Sequence, residues 1–358
     1  MAPNSTMAPI RPNPTLSEDV ISEILLRHAI TSKTDQTLLM RYRHDSPAVK
    51  EISVLDVDSH QIVAELKLPC SQSEPNFIIL GSVNGIVCVI VIISTDEASV
   101  YLWNPASRKS KLIPSIDVHV PSGFGYDPID DDYKVVSIGT SEYYSVDVYL
   151  ANMDAWRHAP DPIDITYPID IPSNRFFDVC VKGFLFGIGG YSMVVFDLHK
   201  EVLNWAIKLP VIIRDVHDDD DSEYDETRII EFNNSIAVIT LWDKGWNNGK
   251  KINMWTLDDD ACLSDGGVEA SWTTMFSIDL AASAYLVLGY FNNRDLLVLI
   301  GGDNCMLCNA DKKEANIVPL SVEMAGHQYG RAVYKYTESL VSLAGFKQIN
   351  WNTVENDN

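Results

Sequence analysis

Phe77-Ile78-Ile79-Leu80, the segment Gly81-Ser82-Val83-Asn84-Gly85 and the apolar run from Ile86 to Ile93 follow one another, and Val100-Tyr101-Leu102-Trp103 and Lys111-Leu112-Ile113 complete the stretch up to Pro114. Asn84-Gly85 is a strong hairpin signal, because a tight primed turn needs positive φ and Asn and Gly tolerate it. The runs around it are short, apolar and bounded by turn-forming residues, which is the pattern of strands. The stretch therefore reads as four strands in succession, and one such unit cannot hide its own faces.

The chain repeats the unit loosely. Lys182-Gly183 precedes Phe184 to Ile188, Met193 to Asp197 and Trp205 to Pro210. Asn233-Asn234 precedes Ser235 to Leu241, Ile252 to Leu257 and Ser271 to Met275. Asn292-Asn293 precedes Leu296 to Ile300, Met306 to Asn309 and Ile317 to Pro319, and a further unit fits at Tyr133 to Val136, Val146 to Leu150 and Ala155 to Arg157. The second strands then begin at 86, 133, 184, 235 and 295, in steps of 47, 51, 51 and 60 residues. Four strands recurring at roughly 40 to 50 residues are the signature of β-propeller blades.

Three strands, Leu38 to Tyr42, Ile52 to Val57 and Ile62 to Leu66, precede the template, while Tyr329 to Tyr336 and Leu340 to Leu343 follow the last repeat. Sharing one blade between the two ends of the chain abolishes the open edges of the ring. Five internal repeats and one shared blade predict an all-β propeller of about six four-stranded blades. Trp156, Trp205 and Trp272 fall in fourth strands and Trp255 in a third strand, where large rings can seal the seams between blades.

A chain of 358 residues with 46% hydrophobic content can fill one large core. Its longest apolar run, Ile86 to Ile93, spans 8 residues, against the ~18 needed to cross a membrane. Met1 to Pro14 is rich in Pro and Asn and has no apolar core of the kind a secretory signal needs. No membrane association is expected, and the protein is placed in the cytoplasm or nucleus.

Six cysteines at 70, 88, 180, 262, 305 and 308 form no framework and read as small buried apolar residues. Cys305-Met306-Leu307-Cys308 has metal-like spacing, yet a zinc site needs four ligands and no second pair supports it. The eight histidines show no pairing at metal spacing. Gly187-Ile188-Gly189-Gly190 is too short for a dinucleotide fingerprint and precedes a strand where a helix is required. No nucleophile elbow or HExxH is present. Neither a catalytic residue, a metal site nor a cofactor is expected.

The net charge is −23, from 50 acids and 27 bases. Nucleic-acid binding begins from a basic patch, so no nucleic-acid partner is expected. The field favours basic partners instead. Asp215 to Glu226 is the densest acidic stretch, with eight acids in twelve residues, among them Asp218, Asp219, Asp220 and Asp221. It reads as a solvated loop or as a docking surface for a basic protein.

Thr15-Leu16-Ser17-Glu18 is a capping box, whose Thr and Glu side chains satisfy free backbone donors at a helix start. Leu16, Val20, Ile21, Ile24 and Leu25 then make an apolar stripe at helical spacing. That stripe needs a cover, from the propeller or from a partner.

Leu16-Ser17-Glu18-Asp19-Val20-Ile21-Ser22-Glu23-Ile24-Leu25-Leu26-Arg27 resembles the opening helix of the F-box of plant F-box proteins, with Ser17 where the family has Pro. Gly81-Ser82-Val83-Asn84-Gly85-Ile86-Val87-Cys88 and Leu102-Trp103-Asn104-Pro105-Ala106-Ser107-Arg108 resemble motifs of the region associated with that box. So do Gly123-Phe124-Gly125-Tyr126-Asp127-Pro128 and Asp131-Asp132-Tyr133-Lys134-Val135-Val136. The similarity covers nearly the whole chain and is greatest to the S-locus F-box-like group. It implies a short helical F-box remnant at 15–28 after an unstructured 1–14, a propeller at 34–346 and a tail at 347–358.

Against the family pattern, Arg27 passes directly into His28-Ala29-Ile30-Thr31-Ser32-Lys33, and about thirty residues of the helical F-box are missing. The family's F-box grips a Skp-type adaptor joined to a cullin, so the resemblance implies adaptor contacts at Leu16, Val20, Ile21, Ile24 and Leu25, weakened by the missing helices. At ~25 cal/mol per Å² of lost apolar contact, the loss amounts to several kcal/mol. Two functions follow. One is a non-catalytic substrate receptor of a ubiquitin ligase, with basic pistil ribonucleases as the targets the S-locus group implies. The other is an orphan interaction propeller that has lost its adaptor.

Overall fold

A computed structural model describes residues 36–43, 46–56, 61–70, 76–94, 97–115, 121–140, 144–159, 177–189, 192–210, 224–243, 249–258, 270–280, 284–290, 295–300, 304–309, 312–321 and 333–349. The chain divides into two compact units, residues 1–33 and 34–358. All described residues belong to the second, and none of them is helical. The sequence-predicted helix at 15–28 lies outside the described residues. No described helix is long and apolar enough to cross a membrane.

The described strands form six antiparallel sheets. Blade 1 comprises β1 (Gln36–Arg43), β2 (Ser46–Asp56) and β3 (Gln61–Leu66), and blade 2 comprises β4 (Asn76–Val83), β5 (Ile86–Ile92), β6 (Ala98–Asn104) and β7 (Lys109–Leu112). Blade 3 holds β8 (Pro121–Asp127), β9 (Asp132–Thr140), β10 (Tyr144–Leu150) and β11 (Ala155–His158). Blade 4 holds β12 (Val179–Val181), β13 (Phe184–Gly189), β14 (Ser192–Asp197) and β15 (Val202–Lys208). Blade 5 holds β16 (Tyr224–Phe232), β17 (Ser235–Asp243), β18 (Lys250–Leu257) and β19 (Trp272–Leu280). Blade 6 holds β20 (Ala284–Tyr290), β21 (Asp295–Ile300), β22 (Asn304–Asn309) and β23 (Glu314–Ser321). The second strands of the repeats thus start at or next to the positions the spacing predicts.

The ring closes as expected. β24 (Val333–Tyr336) pairs with β1 through Leu39↔Val333 to Gln36↔Tyr336, so the last part of the chain supplies the inner strand of the first blade. The inner strands β4, β8, β12, β16, β20 and β24 neighbour one another in turn and return to β4. The fold is a six-bladed β-propeller.

Period-two alternation explains the packing, since successive residues of a strand face opposite blades. In β5, Val87, Val89 and Val91 pack with Ile52, Val54, Tyr334 and Tyr336 of blade 1, whereas Ile86 and Cys88 pack with Phe124, Tyr133 and Val135 of blade 3. Separate apolar clusters likewise join blades 3 and 4, 4 and 5, and 5 and 6. This is why β5 is apolar at nearly every position. A central strand sandwiched between two blades has no wet side.

Tryptophans seal the seams. The Trp156 indole N–H donates to the Pro114 carbonyl at 2.8 Å and that of Trp272 to the Lys208 carbonyl at 2.9 Å, each bridging consecutive blades. Trp255 is buried between blades 4 and 5. Cys305 and Cys308 are both buried on β22 and not in a disulfide.

One expectation is corrected. Leu340 to Leu343 is not a strand. The Asn104 side-chain amide donates to the carbonyls of Ser339 and Val341 at 2.9 and 2.8 Å, and Val341, Leu343 and Phe346 pack against the seam between blades 2 and 3. Those bonds turn the segment across the end of blade 2 as a strap instead of along a sheet edge. It then reaches the outer edge, where β25 (Lys347–Gln348), read from sequence as the beginning of the tail, pairs with β7.

Candidate functional site

Antiparallel order gives the propeller two unlike faces. Links between first and second strands and between third and fourth strands emerge on one side, here the turn face. Links between second and third strands and from one blade to the next emerge on the other, the loop face. Among the described residues, all nine non-glycine positions with positive φ, from Asn84 to Lys313, lie in links of the turn face. The strand end often caps its own turn. Asn104, Asp127, Asp197 and Asn309 each accept a backbone N–H two or three residues on, the short-range bond that makes Asn and Asp turn formers.

The most elaborate polar cluster lies at the turn face between blades 3 and 4. Lys134 on β9 is fully buried, and its ammonium donates to Asp127 Oδ2 at 2.9 Å, to Asp130 Oδ2 at 3.0 Å and to the Leu198 carbonyl at 2.8 Å. Glu201, buried in the β14–β15 turn, lies 3.5 Å away and receives a two-pronged contact from Arg157 at 2.9 and 2.6 Å. Burial works against both charges of the central pair. The Lys134 ammonium is nevertheless held above its ordinary range by Asp127 and Asp130. The Asp127 carboxyl is held below its own by Lys134 and by the N–H groups of Ile129 and Asp130. Hydrogen bonds to the charged forms outweigh desolvation.

Asp127, Asp130 and His199 bring potential ligand atoms within 4.8 Å of one another. A lysine ammonium already occupies the cationic position between the two carboxylates, and it satisfies the same charge that a metal ion would. The cluster is a structural clamp between blades. Burial also pushes the Tyr133 phenol up to about 12 and the Cys180 thiol up to about 12, so neither is prepared for nucleophilic or acid–base work.

The sequence matches the profile of the family described as F-box associated beta propeller domain over residues 31–263. The chain belongs to that family. Among F-box relatives from Arabidopsis thaliana, the F-box protein At5g07610 is 22% identical over 63% of this chain and 54% of its own length. The putative F-box protein At3g16210 is 29% identical over 36% of this chain and 37% of its own length. The F-box/kelch-repeat protein At3g23880 is 32% identical over 22% and 24% respectively. The first four relatives are matched over 37% to 55% of their own lengths. Among solved structures, TolB from Acinetobacter baumannii superposes with a TM-score of 0.47 at 10% identity, over 84% of this chain and 66% of its own.

In this F-box-associated propeller the motifs quoted from the sequence serve the seams. Asn104 of the Leu-Trp-Asn-Pro motif holds the C-terminal strap, and Asp127 and Lys134 of the two blade 3 motifs form the clamp. Sequence reasoning quoted these residues without assigning them a role and passed over Glu201. A lone Glu in a polar turn looks solvated until the fold brings it to Arg157. The predicted adaptor contacts Leu16, Val20, Ile21, Ile24 and Leu25, and the predicted partner contacts Asp218 to Asp221, lie outside the described residues. Of the wider acidic run, Asp225 and Glu226 belong to β16.

Proposed function

We propose that this protein is the substrate-recognition subunit of a Skp–cullin–F-box ubiquitin ligase, with no catalytic residue of its own. The observation that supports the reading most directly is the F-box-associated propeller profile over 31–263 together with the F-box relatives. The propeller holds the target, and the segment carrying Leu16, Val20, Ile21, Ile24 and Leu25 meets the adaptor. Ubiquitin is transferred by other subunits, so the receptor contributes position alone. The net charge of −23 and the run Asp218 to Asp221 suit a basic target. Basic ribonucleases of the S-locus type are the specific class we put forward.

A second reading rests on the passage from Arg27 straight to His28, where the family pattern has about thirty further F-box residues. On that reading the propeller binds its target without recruiting the ligase. Titrating the full chain with a purified Skp-type adaptor separates the two. Saturable binding at or below tens of micromolar supports the receptor, and none at that concentration overturns it. Inserting the missing helices and regaining binding identifies the orphan propeller.

A further inference from the structure

Two large apolar side chains stand out on the turn face of blade 3. Ile129, in the β8–β9 turn, is 69% exposed, and Met153, in the β10–β11 turn, is 67% exposed. The two turns are tied together, since Asn152 donates from its backbone N–H to Asp132 Oδ1 at 2.9 Å and from its side-chain amide to the Asp131 carbonyl at 3.1 Å. Each turn is also held from within. Asp127 Oδ1 accepts the Ile129 N–H at 2.9 Å, the Tyr126 hydroxyl donates to Asp131, and the Tyr149 hydroxyl donates to Asp154 at 2.7 Å. Ile129 and Met153 are thus presented on a scaffold that needs neither of them for its own bonds. A fixed, exposed apolar pair loses little conformational freedom when it is covered.

The surroundings indicate what would cover it. These turns, residues 127–132 and 151–154, contain five aspartates and no lysine or arginine. Asp130, Asp131 and Asp154 are exposed. The ammonium groups that answer Asp130 and Asp154, those of Lys134 and Lys111, are buried behind the turns, and the His199 imidazole stands 3.3 Å from Asp130, so the carboxylates are the outward negative charge. An apolar centre with a charged rim is the anatomy of a contact point, and the rim selects the sign of the partner.

We infer that Ile129 and Met153 form a docking point on the turn face for a segment of the target protein in which apolar side chains are flanked by lysine or arginine. The inference rests on the receptor reading and adds to it a target contact on the turn face. The test uses the full chain and two synthetic peptides, one alternating leucine and lysine, the other alternating glycine and lysine with the same charge. At physiological ionic strength, where charges are screened beyond about 8 Å, the leucine peptide binds at least tenfold more tightly than the glycine peptide. The double variant Ile129→Ser/Met153→Ser loses about tenfold in affinity for the leucine peptide and nothing for the other. Asp131→Asn, which keeps a residue suited to positive φ, weakens both. Thermal unfolding of the variants shows that the fold is retained. Equal binding of the leucine peptide by wild type and double variant overturns the inference. Adaptor affinity of the same variants is measured in parallel: its absence in wild type counts against the receptor reading, whereas peptide binding insensitive to Ile129 and Met153 counts against the docking point alone.

Discussion

The Lys134 ammonium reaches across from blade 3 to the backbone carbonyl of Leu198 in blade 4 at 2.8 Å, and both residues are fully buried. A charge placed there is tolerated because every direction in which it can donate is answered, by Asp127, Asp130 and Leu198. The clamp works beside the apolar cluster that joins the same two blades, so the seam between blades 3 and 4 combines a charged and an apolar contribution.

Lys134→Met follows from that placement. It keeps the length of the side chain and removes the charge, leaving Asp127 buried without its partner. Breaking a buried pair from one side costs about 3 to 5 kcal/mol, and chemical denaturation should show a loss of that size. Lys134→Met/Asp127→Asn should recover part of it, since the uncompensated carboxylate is gone. A loss under about 1 kcal/mol for the single variant would mean that the seam does not depend on the clamp.

The pH dependence of the clamp has a definite sign. Asp127 titrates lower in the folded chain, so its contribution is complete above the ordinary Asp value of about 3.9 and is lost as pH falls through the depressed one. Lys134 titrates higher in the folded chain. Its contribution is complete below about 10.4 and is lost as pH rises through the elevated value. The stability difference between the protein and its Lys134→Met/Asp127→Asn variant should be flat from about pH 5 to 9 and change outside that window. Both proteins carry His199→Gln for this measurement, because the imidazole nitrogen lies 3.3 Å from Asp130. A slope inside the window contradicts the assignment.

The blades were legible because their information is local. Asn84-Gly85 specifies a hairpin, and continuous apolar runs such as Ile86 to Ile92 specify a strand buried on both sides, whatever lies elsewhere in the chain. Ring closure by Val333–Tyr336 followed from counting strands at the two ends. What could not be read were contacts between residues far apart in sequence with no periodic signature. Glu201 reaches Arg157 across 44 positions, and Asn104 reaches Val341 across 237. The strap shows the limit well. Leu340 to Leu343 has the composition of a strand, yet the Asn104 amide, and not a neighbouring strand, takes the Val341 carbonyl.

Asn104→Ala therefore has a specific consequence. Asn104 is fully buried, and its loss strands the carbonyls of Ser339 and Val341 and the N–H of Ser107. Leaving such groups unsatisfied costs about 1 to 3 kcal/mol. Amide exchange should quicken across 339–349, where Ile349 N–H donates to the Arg108 carbonyl at 3.0 Å, while the blade 5 strands stay unchanged. Uniform acceleration through all blades would show that the strap is not a local unit.

Gly85 sits where both conformation and space exclude a side chain. Its φ is +80°, and an added Cβ would lie 2.7 Å from Ser339 Cβ and 2.8 Å from the Thr337 carbonyl oxygen. The strap cannot withdraw freely, because the Ser339 hydroxyl donates to the Asn84 carbonyl at 2.7 Å. Gly85→Ala should cost about 1 to 3 kcal/mol through the strained backbone alone, and more if the strap is displaced. Adding Ser339→Gly separates the two contributions. It removes the side-chain clash but neither the positive φ nor the close approach to Thr337, so less than half the loss should return. Full recovery in the double variant would place the whole penalty on the Ser339 side chain, and no loss in the single variant would mean that the strap does not close over the Asn84-Gly85 turn.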